Sequence, residues 1–380
     1  MTTGSLASAP GGLLRPGLVD RDTAAANGWR ALAWLGLAGA AIAVGLAGPN
    51  VARHGTTAAV YALAGLSLNI ILGYTGQLSL GHQGLVGTGA LFAAYVSTAH
   101  GLPFPVALAV GALTGGMSAA LVGFVALRIS GLYLALITLV FGLTLEQSLF
   151  ELSTFTGGGA GEAANRPASL LPENRYYYVC LLVVVAVCYL DSRLTRSKGG
   201  RAFKAIKEDE RVAAAMGVNV VGYKLLAFTL SGMVAGVAGA LFSFATQQFV
   251  GSDFDFRLAL VFVLMTVVGG AGSRAGVVAG SILFAVLHDF IASFGPFKSF
   301  ADLFPTQTGA NILQFGPDLL GALLLLLTLA FNPGGLAQQL APVVRWMTGG
   351  PFRAPSGGGA PGASGDSGAA GASAPGAVGP

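Results

Sequence analysis

The chain reads as an all-α polytopic membrane protein of about ten transmembrane helices. Three observations lead there. Only 9% of its 380 residues are charged, against roughly 25% in an ordinary soluble chain. Hydrophobic residues make up 54%, and the mean hydropathy is +0.72. Apolar runs near the length of about 20 residues that a span requires recur along the chain, separated by short polar segments.

Taken in order, the candidate spans are 31–48, 55–73, 84–99, 105–127, 131–150, 176–191, 224–247, 257–270, 276–294 and 309–331. The eighth is short and runs into the glycine-rich break "GGAGSRAG". With both termini cytoplasmic, Arg53, Arg166, Arg175, Arg257 and Lys298 fall outside and every other Lys and Arg falls inside. That asymmetry is the positive-inside pattern. It also accounts for the net charge of +4 without nucleic acid, because the basic residues sit in short loops rather than on one soluble face. Residues 1–30 read as a cytoplasmic N-terminal segment with no evident cleavable signal, and 31–336 as the membrane domain. Residues 349–380 form a Gly/Ala/Pro/Ser tail whose composition cannot support a core, so the expectation is disorder. Cys180 and Cys188, eight residues apart on one run, read as small packing residues that do not bridge each other.

The loops separate function classes. The outer loop at 151–175 contains "TFTGGGAGEAANRP", but no GK[ST] follows, so it is no phosphate-binding loop. The chain has no visible means of binding ATP, no catalytic constellation and no expected cofactor or metal. His288–Asp289 lacks a third ligand at helical spacing. The inner loop, about 192–223, is the long polar one. From Arg201 to Met216 it has no Gly or Pro, and Phe203, Ile206, Ala213 and Ala214 recur near helical spacing. A short helix is expected there, ended by Gly217 in the left-handed conformation, with re-entry into the membrane near Lys224. Such a helix suits docking into a partner's groove, or equally a surface position among lipid headgroups.

The stretch "GYTGQLSLGHQGLVGTGA" (Gly73–Ala90) lies between two apolar runs and carries several glycines and polar side chains but no proline. In hydrocarbon every backbone polar group needs a partner, so such a stretch must be buried in protein or face water. One reading is a broken helix beside a translocation pathway, with Tyr74, Thr75, Gln77, Ser79 and His82 as candidate pathway residues and Gly73, Gly76 and Gly81 as the break. The other is close helix packing, with the polar groups capping helix ends. Gly269, Gly270 and Gly272 form a second break. Glu146 is a further pathway candidate, while Asp318, after Pro317, reads as a helix cap. Arg274 fits the inner interface. Acids at 146 and 318 keep an ion-coupled secondary transporter in play.

Several of these stretches together resemble permease subunits of branched-chain amino-acid ABC importers. "EDERVAAAMGVNV" resembles the family's coupling loop, which implies an ATPase-coupling role for Glu210, Ala213, Ala214 and Gly217. "GYTGQLSLGHQGLVGTGA", "TFTGGGAGE", "VVGGAGSRAGVVAGSILF" and "FNPGGL" are similar to family segments in the same order, over about residues 55–336. The resemblance implies the importer permease arrangement with a cytoplasmic coupling helix. It also implies separate ABC ATPase subunits, a sister permease as heterodimer partner, an extracytoplasmic solute-binding protein and a bacterial plasma-membrane location. Permeases for urea and short amides share much of the pattern. Where the family often carries an acid, two residues after the Phe of "ITLVFGL", this chain has Leu143, with Glu146 one turn later.

Overall fold

The computed structural model describes residues 24–126, 131–150, 162–293, 323 and 335–347. The expected span at 309–331, Asp318, most of "TFTGGGAGE", the side chains of His288 and Asp289, and the tail lie outside these residues.

Helices dominate: α1 (Ala24–Leu46), α2 (Pro49–Leu68), α3 (His82–Thr98), α4 (Phe104–Ala126), α5 (Leu132–Leu149), α6 (Glu173–Arg196), α7 (Lys198–Glu208), α8 (Glu210–Ala215), α9 (Val220–Thr246), α10 (Phe256–Gly269), α11 (Arg274–Ser293) and α12 (Gly335–Met347). Every expected segment up to 276–294 falls on one of them. Among the described residues five are long and apolar enough to cross a membrane: α2 with its extension to Gly73, α4, α5, α6 and α9. Their outward faces are greasy, as with Leu113, Met117, Leu121 and Phe124 on α4. In water such a face is a liability; in lipid it is the expected surface.

The long α9 is the centre of the bundle, packed on α4, α3 and α2. Small residues permit this. A side chain on Gly236 would run into the backbone of Gly111 on α4, so the two helices meet backbone to backbone. Without a hydrophobic drive between helices in lipid, close van der Waals approach of this kind carries the association. Below the main core, Ile70, Tyr74, Phe203 and Ala227 form a separate buried cluster, which seats α7 against the end of α2.

Three features depart from the sequence expectations. The all-α reading misses a two-residue antiparallel pair, β1 (Glu162–Ala163) with β2 (Gln248–Phe249). Beside it, Arg166 is buried: Nε and Nη2 donate to the carbonyls of Phe244 and Ala245 at 2.9 Å, Nη1 pairs with Glu173 at 3.3 Å, and the guanidinium lies over the Tyr176 ring. A planar five-donor group thereby satisfies carbonyls near the end of α9, where the helix dipole favours a cation. The single loop helix from Arg201 to Met216 is two helices, because Asp209 is extended (φ −159°, ψ 118°) and its carboxylate accepts from the amides of Arg211 and Val212. An N-cap competes with helix continuation and here wins. The following turn holds Gly217 at φ +82°, and α9 begins at Val220, four residues before Lys224.

Candidate functional site

The end of α2 widens into a π-turn, Asn69–Gly73, helix continues through Thr75, and it then breaks until His82. Between them the chain turns at Gly76, φ +72°, and runs non-helically to Gly81. Its polar side chains are buried: Tyr74, Thr75, Gln77, Ser79 and His82 are each less than a tenth exposed, while Gly76 is exposed. Such backbone needs partners from the surrounding protein. The Gln77 amide donates to Ile71 O at 3.2 Å, and the Leu80 amide to the Thr138 hydroxyl at 3.0 Å.

The side chains sort into two groups. Thr75 Oγ1 donates to Ile71 O at 2.7 Å, a local bond. Tyr74 Oη donates to Asp191 Oδ2 at 2.7 Å, and Arg274 Nε approaches the same oxygen at 3.5 Å. His82 sits between Ser79 Oγ at 3.1 Å and Ser231 Oγ at 3.0 Å. Since the Ser231 hydroxyl donates to Ser67 O at 2.7 Å, it is free to accept from His82 Nε2–H, leaving Nδ1 to accept from Ser79. A neutral imidazole therefore satisfies both ring nitrogens. This is a structural histidine geometry that ties the break to α9 and α2.

Gln77 differs. Its side-chain Oε1 and Nε2 are both buried and have no hydrogen-bond partner among the described residues. Gln83, which the sequence reading did not single out, has the same property and is fully buried, with its amide against Gly142 of α5. A buried unpaired amide is costly, so these two groups are where a polar solute or water would be best received. Glu146 lies on α5 one turn beyond Gly142 and is only partly buried. Gln77 thus lies in the break itself, Gln83 in the first turn of α3 against α5, and Glu146 one turn further along α5.

The second break joins the first. Gly270 and Gly272 have φ +100° and +97°, and the Gly272 amide donates to Asn69 Oδ1 at 2.7 Å. Gly269, in contrast, closes α10 against the backbone of Gly276. In the loop, Glu210 pairs with the buried Lys224, and Ala213 is buried, whereas Val212, Ala214, Ala215 and Met216 are exposed. Among the described residues no three His, Cys, Asp or Glu side chains converge as a metal site would need.

A bundle of membrane-length helices folded round a buried polar break, with a charged helical loop at one end, is the architecture of a multi-pass membrane transport subunit. The chain belongs to the family described as branched-chain amino acid transport system permease component, whose model matches residues 50–329. It is 29% identical over 323 residues to the high-affinity branched-chain amino acid transport system permease protein LivM of Salmonella typhimurium, covering 77% of this chain and 71% of that one. The LivM protein of Escherichia coli matches with the same figures. The autoinducer 2 import system permease protein LsrC of Enterobacter sp. is 29% identical over 216 residues, 52% of this chain and 59% of the relative. No solved structure matches.

Proposed function

We propose that the chain is a permease subunit of an ATP-driven importer for branched-chain or related amino acids. In this reading separate ABC ATPase subunits drive alternating access, a sister permease completes the pathway, and an extracytoplasmic solute-binding protein delivers the solute to the outer loops. The observation that supports it is the loop. α7 and α8 are too charged to enter a bilayer, α7 is seated on the break through Phe203, and α8 leaves Val212 and Met216 uncovered. A short helix with a small exposed apolar face suits a groove on a partner. Glu210 and Gly217 shape that loop for docking, through the pair with Lys224 and the positive-φ turn. Both termini lie on the cytoplasmic side with the loop.

The substrate class rests on the family and on LivM. Similarity to LsrC, an autoinducer 2 import permease, favours a second reading in which the solute is not an amino acid. Purification from native membranes tests the class: an ATPase subunit recovered in equal amount supports it, and its consistent absence overturns it. Uptake of labelled leucine, competed by isoleucine and valine or by unrelated solutes, decides the substrate.

A further inference from the structure

We infer that Lys207 is the residue through which displacement of the loop helices reaches the break, acting as a positioning residue for transport. This rests on the permease reading above. Two contacts from one side chain carry it. The ammonium donates to Gly73 O at 2.8 Å. The stem lies over Gly76, where an added Cβ would stand 3.3 Å from Lys207 Cγ. Lys207 thereby touches both Gly73 and Gly76, and a side chain at position 76 would press on its stem. Gly73 O is a carbonyl at a helix end, without the regular helical partner and on the negative side of the dipole, so a cation is its natural partner. A charge-assisted bond of this kind outweighs a neutral one.

From the bend, two bonds lead onward. Asn69 Oδ1 holds the Gly272 amide, and Tyr74 holds Asp191 beside Arg274. Residues 69–76 are thus joined to α7 on one side and to the second break on the other. A cleft of about 580 Å³ lies between α7 and Gly272–Ala275, lined by Lys204, Lys207, Glu208 and Arg274. It leaves α7 room to shift toward the second break while the Phe203 cluster keeps it seated. Lys204, one turn earlier on α7 and exposed, shares the cleft and serves as a control.

The test uses the chain with the ATPase subunit that accompanies it from native membranes. A single reporter cysteine replaces the half-buried Leu78 of the break in a background with Cys180→Ala and Cys188→Ala. In the parent, ATP or vanadate-trapped nucleotide changes the labelling rate of that cysteine by a polar maleimide. Lys207→Met keeps the ATPase subunit and basal hydrolysis but cuts the nucleotide-dependent change in labelling about tenfold, within the range of ordinary allosteric coupling. Lys207→Arg restores it, and Lys204→Met leaves it intact. A Lys207→Met protein whose labelling responds normally overturns the inference. One missing from the membrane makes Lys207 a folding residue and overturns it equally. Absence of an ATPase subunit from the parent preparation instead overturns the permease reading, and the inference with it.

Discussion

Gly81 stands so close to the carbonyl of Thr138 that no side chain fits between them. The Leu80 amide donates to the hydroxyl of the same threonine at 3.0 Å, so the upper end of the break is stitched directly to α5. Gly81→Ala forces the two backbones apart. Overpacking a tight site costs about 1–3 kcal/mol. The expected outcome is a lower thermal midpoint in detergent and reduced membrane abundance, before any question of transport arises. An unchanged midpoint would mean that α3 and α5 separate freely here.

Asp209 divides the loop into two helices, and its carboxylate bonds with the Arg211 and Val212 amides hold its pKa below the usual carboxylate value. A depressed acid contributes stability that is present above its unfolded pKa and lost as pH falls through the folded one. Local protection of the first turn of α8 should therefore be constant near neutrality and fade only under acid conditions, below the ordinary aspartate pKa. Asp209→Asn keeps an accepting oxygen and much of the cap, while Asp209→Ala removes it. Hydrogen exchange at the Arg211 and Val212 amides reads this out. Equal exchange in Asp209→Ala and the parent at neutral pH would show that the cap does not organise α8.

Arg166 joins the segment before α6 to the end of α9 through two carbonyls and Glu173. Arg166 is buried while Glu173 is partly exposed, so loss of the arginine is felt mainly at the two α9 carbonyls left without a partner, about 1–3 kcal/mol each. Arg166→Met should lower the thermal midpoint clearly. Arg166→Lys should recover only part of it, since an ammonium cannot reproduce the fork that reaches Phe244 O and Ala245 O together. Full recovery by lysine would show that charge alone matters at this position.

What could be read from the sequence and what could not follows from the range of the interactions. Apolar run lengths are local, so α10 begins at Phe256 where 257 was expected, and α9 ends at Thr246 where 247 was expected. The turn at Gly217 is local too. Asp209 escaped notice because Glu-Asp-Glu in a run of helix formers has helical composition, and only its φ of −159° betrays the cap. The partners of Arg166 lie 78 and 79 residues away, beyond any periodicity. Two paired residues are too few to show strand alternation, which hides β1 and β2. Within the break, composition alone could not separate packing from solute contact. The structure assigns His82, Ser79 and Thr75 to bonds within the protein. Gln83, a single polar residue in a small-residue run, gave no periodic signal, and its burial against Gly142 is a tertiary fact.

Gln77 and Gln83 carry the sharpest prediction, because stability and transport should part company at them. Each buries an amide with no partner among the described residues. Replacing a buried unpaired polar group by an apolar one of similar size removes a desolvation penalty and breaks no bond. Gln77→Leu and Gln83→Leu should therefore leave the thermal midpoint unchanged or raised. If the amides receive the solute, uptake of labelled leucine should fall by about tenfold or more, the scale of losing one or two hydrogen bonds to a bound polar group. Ser79→Ala should behave in the opposite way, since it takes a bond from His82 and so lowers stability along with uptake. Measuring uptake at matched membrane abundance, beside thermal midpoints of the purified variants, separates the two. Glutamine variants that lose stability and transport in proportion would make both residues part of the packing between the break and α5, and would leave the solute's path elsewhere in the bundle.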